Sequence, residues 1–126
     1  MKDIENRADL ELVLNAFYRK AFEDDMLRFF FVDIAGLDLE SHLPTITDFW
    51  ESILFGTIRY QGNVMIKHFA LDEQRQIGRE QIDRWLALFS ETINAQFAGP
   101  KTEEMLNRAR IIGETLFYKL ESRRNP

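Results

Sequence analysis

Residues 79–122 read REQIDRWLALFSETINAQFAGPKTEEMLNRARIIGETLFYKLES. Ile82, Trp85, Leu86, Phe89 and Ile93 recur at helical spacing, and after Gly99-Pro100 so do Met105, Leu106, Ala109, Ile112, Leu116 and Leu120. A period near 3.6 residues places each set on one face of a helix, with charged residues on the other. The pattern predicts two long helices, one from about Arg79 to Phe97 and one from about Thr102 to Ser122. Gly99-Pro100 ends the first and starts the second, because glycine suits a helix end and proline a helix start. Two amphipathic helices of this length in a chain of 126 residues point to an all-α fold.

The same reading extends toward the N-terminus. Leu10, Val13, Leu14, Phe17 and Ala21 form an apolar face over a helix from Asn6 or Asp9 to Glu23, with either polar residue able to cap it. Residues 26–36 are apolar without clean helical spacing. A lone strand would have no partner, so a buried turn or short irregular helix is expected there. A third helix is predicted from Leu39 to about Phe55, with Pro44 in its first turn, Ile46, Phe49, Trp50, Ile53 and Leu54 inward, and Gly56 as its stop. Residues 57–76 are weakly periodic and read as a loop followed by a short helix around 64–71. So long an irregular stretch is uncommon without a functional reason. The helices are unequal in length, which argues against a regular four-helix bundle.

Length and the lack of a linker predict one domain over residues 1–126. Phenylalanine is the unusual component, with 11 copies against 3 tyrosines and 2 tryptophans. That load makes a bulky apolar interior and also suits a pocket for a flat apolar ligand. The absence of cysteine excludes disulfides, thiolate chemistry, iron–sulfur clusters and Cys-based zinc sites. The charged opening segment Met1 to Arg7 predicts no signal peptide, and no stretch is apolar enough for membrane insertion. A cytoplasmic protein is expected. With a formal net charge of −5 and no basic stripe beyond Arg123-Arg124, nucleic-acid binding is not expected, because it depends on phosphate neutralisation.

Candidates for chemistry are few. The two histidines are His42 and His68, and each by itself reads first as a structural or surface residue. No third histidine or His-x-x-x-His pair supports zinc, and neither a phosphate loop nor a nucleophile elbow is present. The carboxylates sit on polar helix faces, where solvation is their ordinary role. Haem needs less from the protein: the porphyrin supplies four nitrogens, so one neutral imidazole suffices and leaves a sixth position open for a gas.

Several pieces occur in a telling order: Phe17-Tyr18, Phe31, His42-Leu43-Pro44, Asp48-Phe49-Trp50, Gly56, Arg59-Tyr60-Gln61-Gly62-Asn63, Lys67-His68, Arg84-Trp85-Leu86-Ala87-Leu88-Phe89 and Arg108-Ala109. The chain resembles the truncated haemoglobins, in particular their group III branch, from about Asn6 to Leu116. Ile58 departs from the small residue, often glycine, of the pattern, and Gly78 to Ile82 from its usual His-Phe helix opening. The resemblance implies a truncated globin fold, a two-over-two helical sandwich around haem b. It implies His68 as the proximal iron ligand, Tyr18, His42 and Trp85 on the distal side, and Phe31 packed on the haem.

Each implied role suits its residue type. His68 would coordinate as a neutral imidazole, its other nitrogen donating to a carbonyl. The Tyr18 hydroxyl and the Trp85 indole N–H are donors, and His42 could donate or act as a gate. Without the resemblance, Tyr18 and Trp85 read as core residues. Arg59, Tyr60 and Lys67 are candidates for holding the haem propionates, with a solvated loop as the alternative, and Phe49 and Phe69 are candidates for the apolar wall. The expected partner is dioxygen or another diatomic gas, bound by a monomer or weak homodimer. The alternative function is a haem enzyme that detoxifies nitric oxide or peroxide; it would need an external reductase, since no flavin or nicotinamide motif is present. A helical interaction module without cofactor is the third reading.

Overall fold

A computed structural model of the chain describes residues 1–28, 39–57 and 76–124. Four helices lie within them: α1 (Arg7–Glu23), α2 (Leu39–Phe55), α3 (Arg79–Asn94) and α4 (Pro100–Arg124). Among the described residues α1 packs on α2 and α3, while α4 packs on α3 and α2. This is the expected all-α arrangement of two helices over two. The buried turn or irregular helix expected within residues 26–36 and the loop and short helix expected within residues 57–76 fall largely outside the described residues.

Helix α1 starts as one of the two expected caps requires. Asn6 is extended, and its side chain accepts from the Asp9 N–H at 3.1 Å. Asp9 in turn accepts from the Glu5 N–H at 2.9 Å, so amide groups at the helix start are satisfied. The inward face is the predicted one: Leu10, Val13, Leu14, Phe17 and Ala21 are fully buried, joined by Tyr18.

Helix α2 differs from expectation in two ways. Pro44 lies in the second turn, not the first. It has no N–H to give the carbonyl four residues earlier, yet the helix continues to Phe55, where Gly56 (φ 72°) follows. The helix is also rotated relative to the expected stripe. Thr47, Trp50 and Leu54 are deeply buried, whereas Ile46, Phe49 and Ile53 are half-buried at the edge of the core. A hydroxyl therefore occupies a core position that sequence periodicity assigned to its neighbour.

Helix α3 ends at Asn94, three residues earlier than expected, and the Gln96 and Phe97 N–H groups both turn back to the Ile93 carbonyl. Helix α4 begins at Pro100, two residues earlier than expected, because a residue distant in sequence caps it. The Asp3 carboxylate accepts from the Lys101 N–H and the Thr102 N–H, both at 2.8 Å, and from the Thr102 hydroxyl at 2.7 Å. Gly99 permits this approach: its φ is 145°, and a Cβ there would come 2.5 Å from the Asp3 side chain. Between α3 and α4, Gly113 faces Ile82 and Leu86, where an added Cβ would sit 3.3 Å from each side chain.

Candidate functional site

The described part of the site is built from three helices. Helix α1 supplies Tyr18, α2 supplies His42 and Phe49, and α3 supplies Trp85. Tyr18 follows Phe17 on the inward face of α1, and its ring meets that of His42 at 4.9 Å between centroids, edge to face. The structure thus brings together two of the three expected distal residues. Phe17 links the third: its ring lies 4.9 Å from Tyr18 and 6.4 Å from Trp85, edge-on to both. Beneath them Phe89 stacks against Trp85 at 5.3 Å and Trp50 at 5.5 Å, and receives Phe17 edge-on at 5.0 Å. Such aromatic contacts restrict the rings to few orientations.

Burial sets the chemistry of Tyr18. The residue is only 7% exposed, and burial pushes its phenol well above the ordinary value of 10.0. The charged phenolate is disfavoured in so dry a setting. Tyr18 is therefore a protonated hydroxyl at neutral pH, able to donate. Trp85 is half-buried, and its indole can only donate.

On α2, His42, Ile46, Phe49 and Ile53 succeed one another at spacings of four, three and four residues and share one strip of the helix. All four are half-buried, and the three apolar ones pack against the core cluster. Trp85 has the same character on α3. A half-buried apolar strip with Tyr18, His42 and Trp85 close by, each with a polar group, is of a composition that fits a flat apolar ligand carrying a small polar group. This donor set fits the distal side of a haem.

The other expected site residues, Phe31, Arg59, Tyr60, Lys67, His68 and Phe69, lie outside the described residues. Among the described residues no cluster of three or more His, Asp or Glu side chains could hold a metal ion, and no helix is long and apolar enough to cross a membrane.

Sequence reasoning missed one feature next to Trp85. Asp24 reads in sequence only as a helix end, yet its Oδ1 accepts from Arg84 Nε at 2.8 Å and from Arg84 Nη2 at 2.6 Å. Its other oxygen accepts from the Met26 and Leu27 N–H groups, both at 3.1 Å. Arg84 adjoins Trp85, and the pair spans 60 positions of sequence. No local pattern signals so distant a partner.

No family model matches the sequence. A group 3 truncated haemoglobin of Campylobacter jejuni is 28% identical over 120 residues, covering 90% of this chain and 92% of that relative. The crystal structure of a group III truncated haemoglobin from Campylobacter jejuni superposes with a TM-score of 0.85 at 27% identity, covering 95% of each chain. Likeness in sequence and in fold extends over nearly the full length of both chains, and this chain is similar to the group III truncated haemoglobins and shares their all-α globin fold.

Proposed function

We propose that the whole chain acts as one haem b-binding unit, with His68 as proximal ligand, that reversibly binds dioxygen and other diatomic gases such as nitric oxide and carbon monoxide. When bound, the haem would supply an iron able to take up a diatomic gas, and His68 would hold that iron as a neutral imidazole. The observation that carries this reading is the Tyr18–His42 pair: a buried, protonated phenol edge-on to an imidazole, close to a half-buried apolar strip. The names of the similar sequence and the similar structure, each a truncated haemoglobin of Campylobacter jejuni, support it.

Each residue then has a defined task. Tyr18 and Trp85 would donate toward a bound gas that carries negative charge, and His42 would donate to it or act as a gate. Phe31, Phe49, Phe69 and Trp85 bear on the ring, which excludes water from the iron's surroundings. Arg59, Tyr60 and Lys67 neutralise or hydrogen-bond the propionates at the rim. The protein works as a monomer or weak homodimer.

Absorption spectroscopy tests this directly. The full-length chain loaded with haem is expected to show a Soret band that shifts on reduction and again on adding oxygen or carbon monoxide. His68→Ala is expected to weaken or abolish that band. A folded chain that shows no Soret band after haem addition overturns the reading.

A further inference from the structure

We propose that Asp24 and Arg84 are positioning residues for the gas-binding face: their ion pair sets the register of α3 against α1, and with it the place of the Trp85 indole N–H relative to the Tyr18 hydroxyl. The inference rests on the haem reading above and adds to it a pair of residues that touch neither haem nor gas.

The geometry distinguishes a fixed end and an adjustable end. Asp24 is the fixed end. It closes α1 through its own N–H to the Ala21 carbonyl, and its carboxylate accepts from the two N–H groups of the next turn, at Met26 and Leu27. Its side chain is 8% exposed, while that of Arg84 is 44% exposed. Arg84 reaches it from α3 with two N–H groups directed at one oxygen, a charge-assisted and directional arrangement.

Apolar contacts also join α1 and α3: Phe17 meets Trp85 and Phe89 edge-on. Edge-on rings limit one another's tilt, but apolar burial as a whole is not directional and tolerates small slides of one helix along the other. A directional bond to an anchored carboxylate does not. Asp24 lies six residues beyond Tyr18, about 9 Å at 1.5 Å per helical residue, and Arg84 immediately precedes Trp85. The pair therefore acts between the two helices that carry the donors. The other ion pairs of Arg79, to Asp83 and Glu114, lie within α3 or tie it to α4. They do not bridge toward Tyr18.

The test compares Arg84→Ala, Arg84→Lys and Asp24→Asn with Arg79→Ala as control. Two readouts are taken on the full chain: the oxygen dissociation rate by stopped flow, and the Trp85 indole N–H resonance in the carbon-monoxide form, identified by its loss in Trp85→Phe. Arg84→Ala and Asp24→Asn are expected to keep the Soret band, change oxygen release at least threefold and shift the Trp85 resonance. Arg84→Lys is expected to recover part of both effects, and Arg79→Ala to move neither. Unchanged release and resonance in Arg84→Ala overturn the proposal, as do equal changes in Arg79→Ala. Should even the unmutated chain bind no haem, the haem reading fails by itself. The indole resonance of the protein as isolated then still decides whether Arg84 positions Trp85.

Discussion

Tyr18 shows how one side chain acquires a role from its surroundings. A phenol on the inward face of an amphipathic helix is ordinarily core, and Tyr18 is indeed core by burial. Beside His42, and kept protonated by that burial, it keeps a hydroxyl able to donate, the role proposed for it. A hydrogen bond to a charged group contributes about 1.5–3 kcal/mol, roughly a tenfold or larger effect on ligand affinity. Tyr18→Phe is therefore expected to speed oxygen dissociation at least tenfold while moving the melting temperature little, as measured by stopped flow and thermal melts. Thr47 is the opposite case. Its hydroxyl is fully buried and, among the described residues, meets no hydrogen-bond partner. Thr92 shows the usual remedy, donating to the Leu88 carbonyl at 2.8 Å. Thr47→Val replaces an unpaired hydroxyl with a methyl of similar shape, and is expected to stabilise the fold by about 1 kcal/mol in urea denaturation.

Among the helices, α4 depends most visibly on another part of the chain. Pro100 has no N–H, and the next two amides go to Asp3, while the Glu103 N–H returns to the Gly99 carbonyl at 2.9 Å. The start of the helix is thus fully accounted for by a residue nearly the whole chain away. Losing a cap of this kind costs about 0.5–2 kcal/mol, so Asp3→Ala is expected to lower stability by about that amount. Burial raises the Asp3 carboxyl, but the hydrogen bonds from Lys101, Thr102 and Ile4 outweigh it and hold the group below its ordinary 3.8. Asp24 is held low chiefly by its bonds from Arg84. In both cases the unfolded chain binds protons more readily than the folded one. The resulting stability is present above about pH 4 and is lost as the pH falls through the depressed folded-state values. Urea midpoints are expected to drop on acidification below that point, and to drop less in Asp3→Ala. A midpoint as acid-sensitive in Asp3→Ala as in the unmutated chain would count against the cap.

Taken as a whole, the molecule joins its two helix pairs through aromatic rings. Phe89 is 1% exposed and touches Phe17, Trp50 and Trp85, so it lies where α1, α2 and α3 meet. Removing a buried phenylalanine costs about 3–5 kcal/mol, a large share of the roughly 5–15 kcal/mol that holds a domain together. Phe89→Ala is expected to bring the protein close to unfolding and to release Trp85 and Trp50 from their stacked positions. A melting curve and tryptophan fluorescence would show both. Phe89 also stacks on Trp85, so a core variant here is expected to disturb the proposed site as well.

The described helices, their approximate ends and the inward faces of α1 and α4 are legible in the sequence, because an amphipathic stripe and a cap are local patterns that each helix carries within itself. Leu10 to Ala21 on α1 and Met105 to Leu120 on α4 follow those patterns directly. Recognition of Tyr18, His42 and Trp85 as a group, and of His68 as the proximal candidate, came from the ordered resemblance to a family; periodicity alone left them as core or surface residues. Tertiary structure decided what depends on how the helices meet. It turned α2 so that Thr47, not Ile46, entered the core, and it carried Asp3 to the start of α4. It set Tyr18 against His42, and it joined Asp24 to Arg84 beside Trp85. Each of these is a contact between residues on separate segments, chosen by packing and by the need to pair buried polar groups. A local stretch of sequence contains only one half of such a pair.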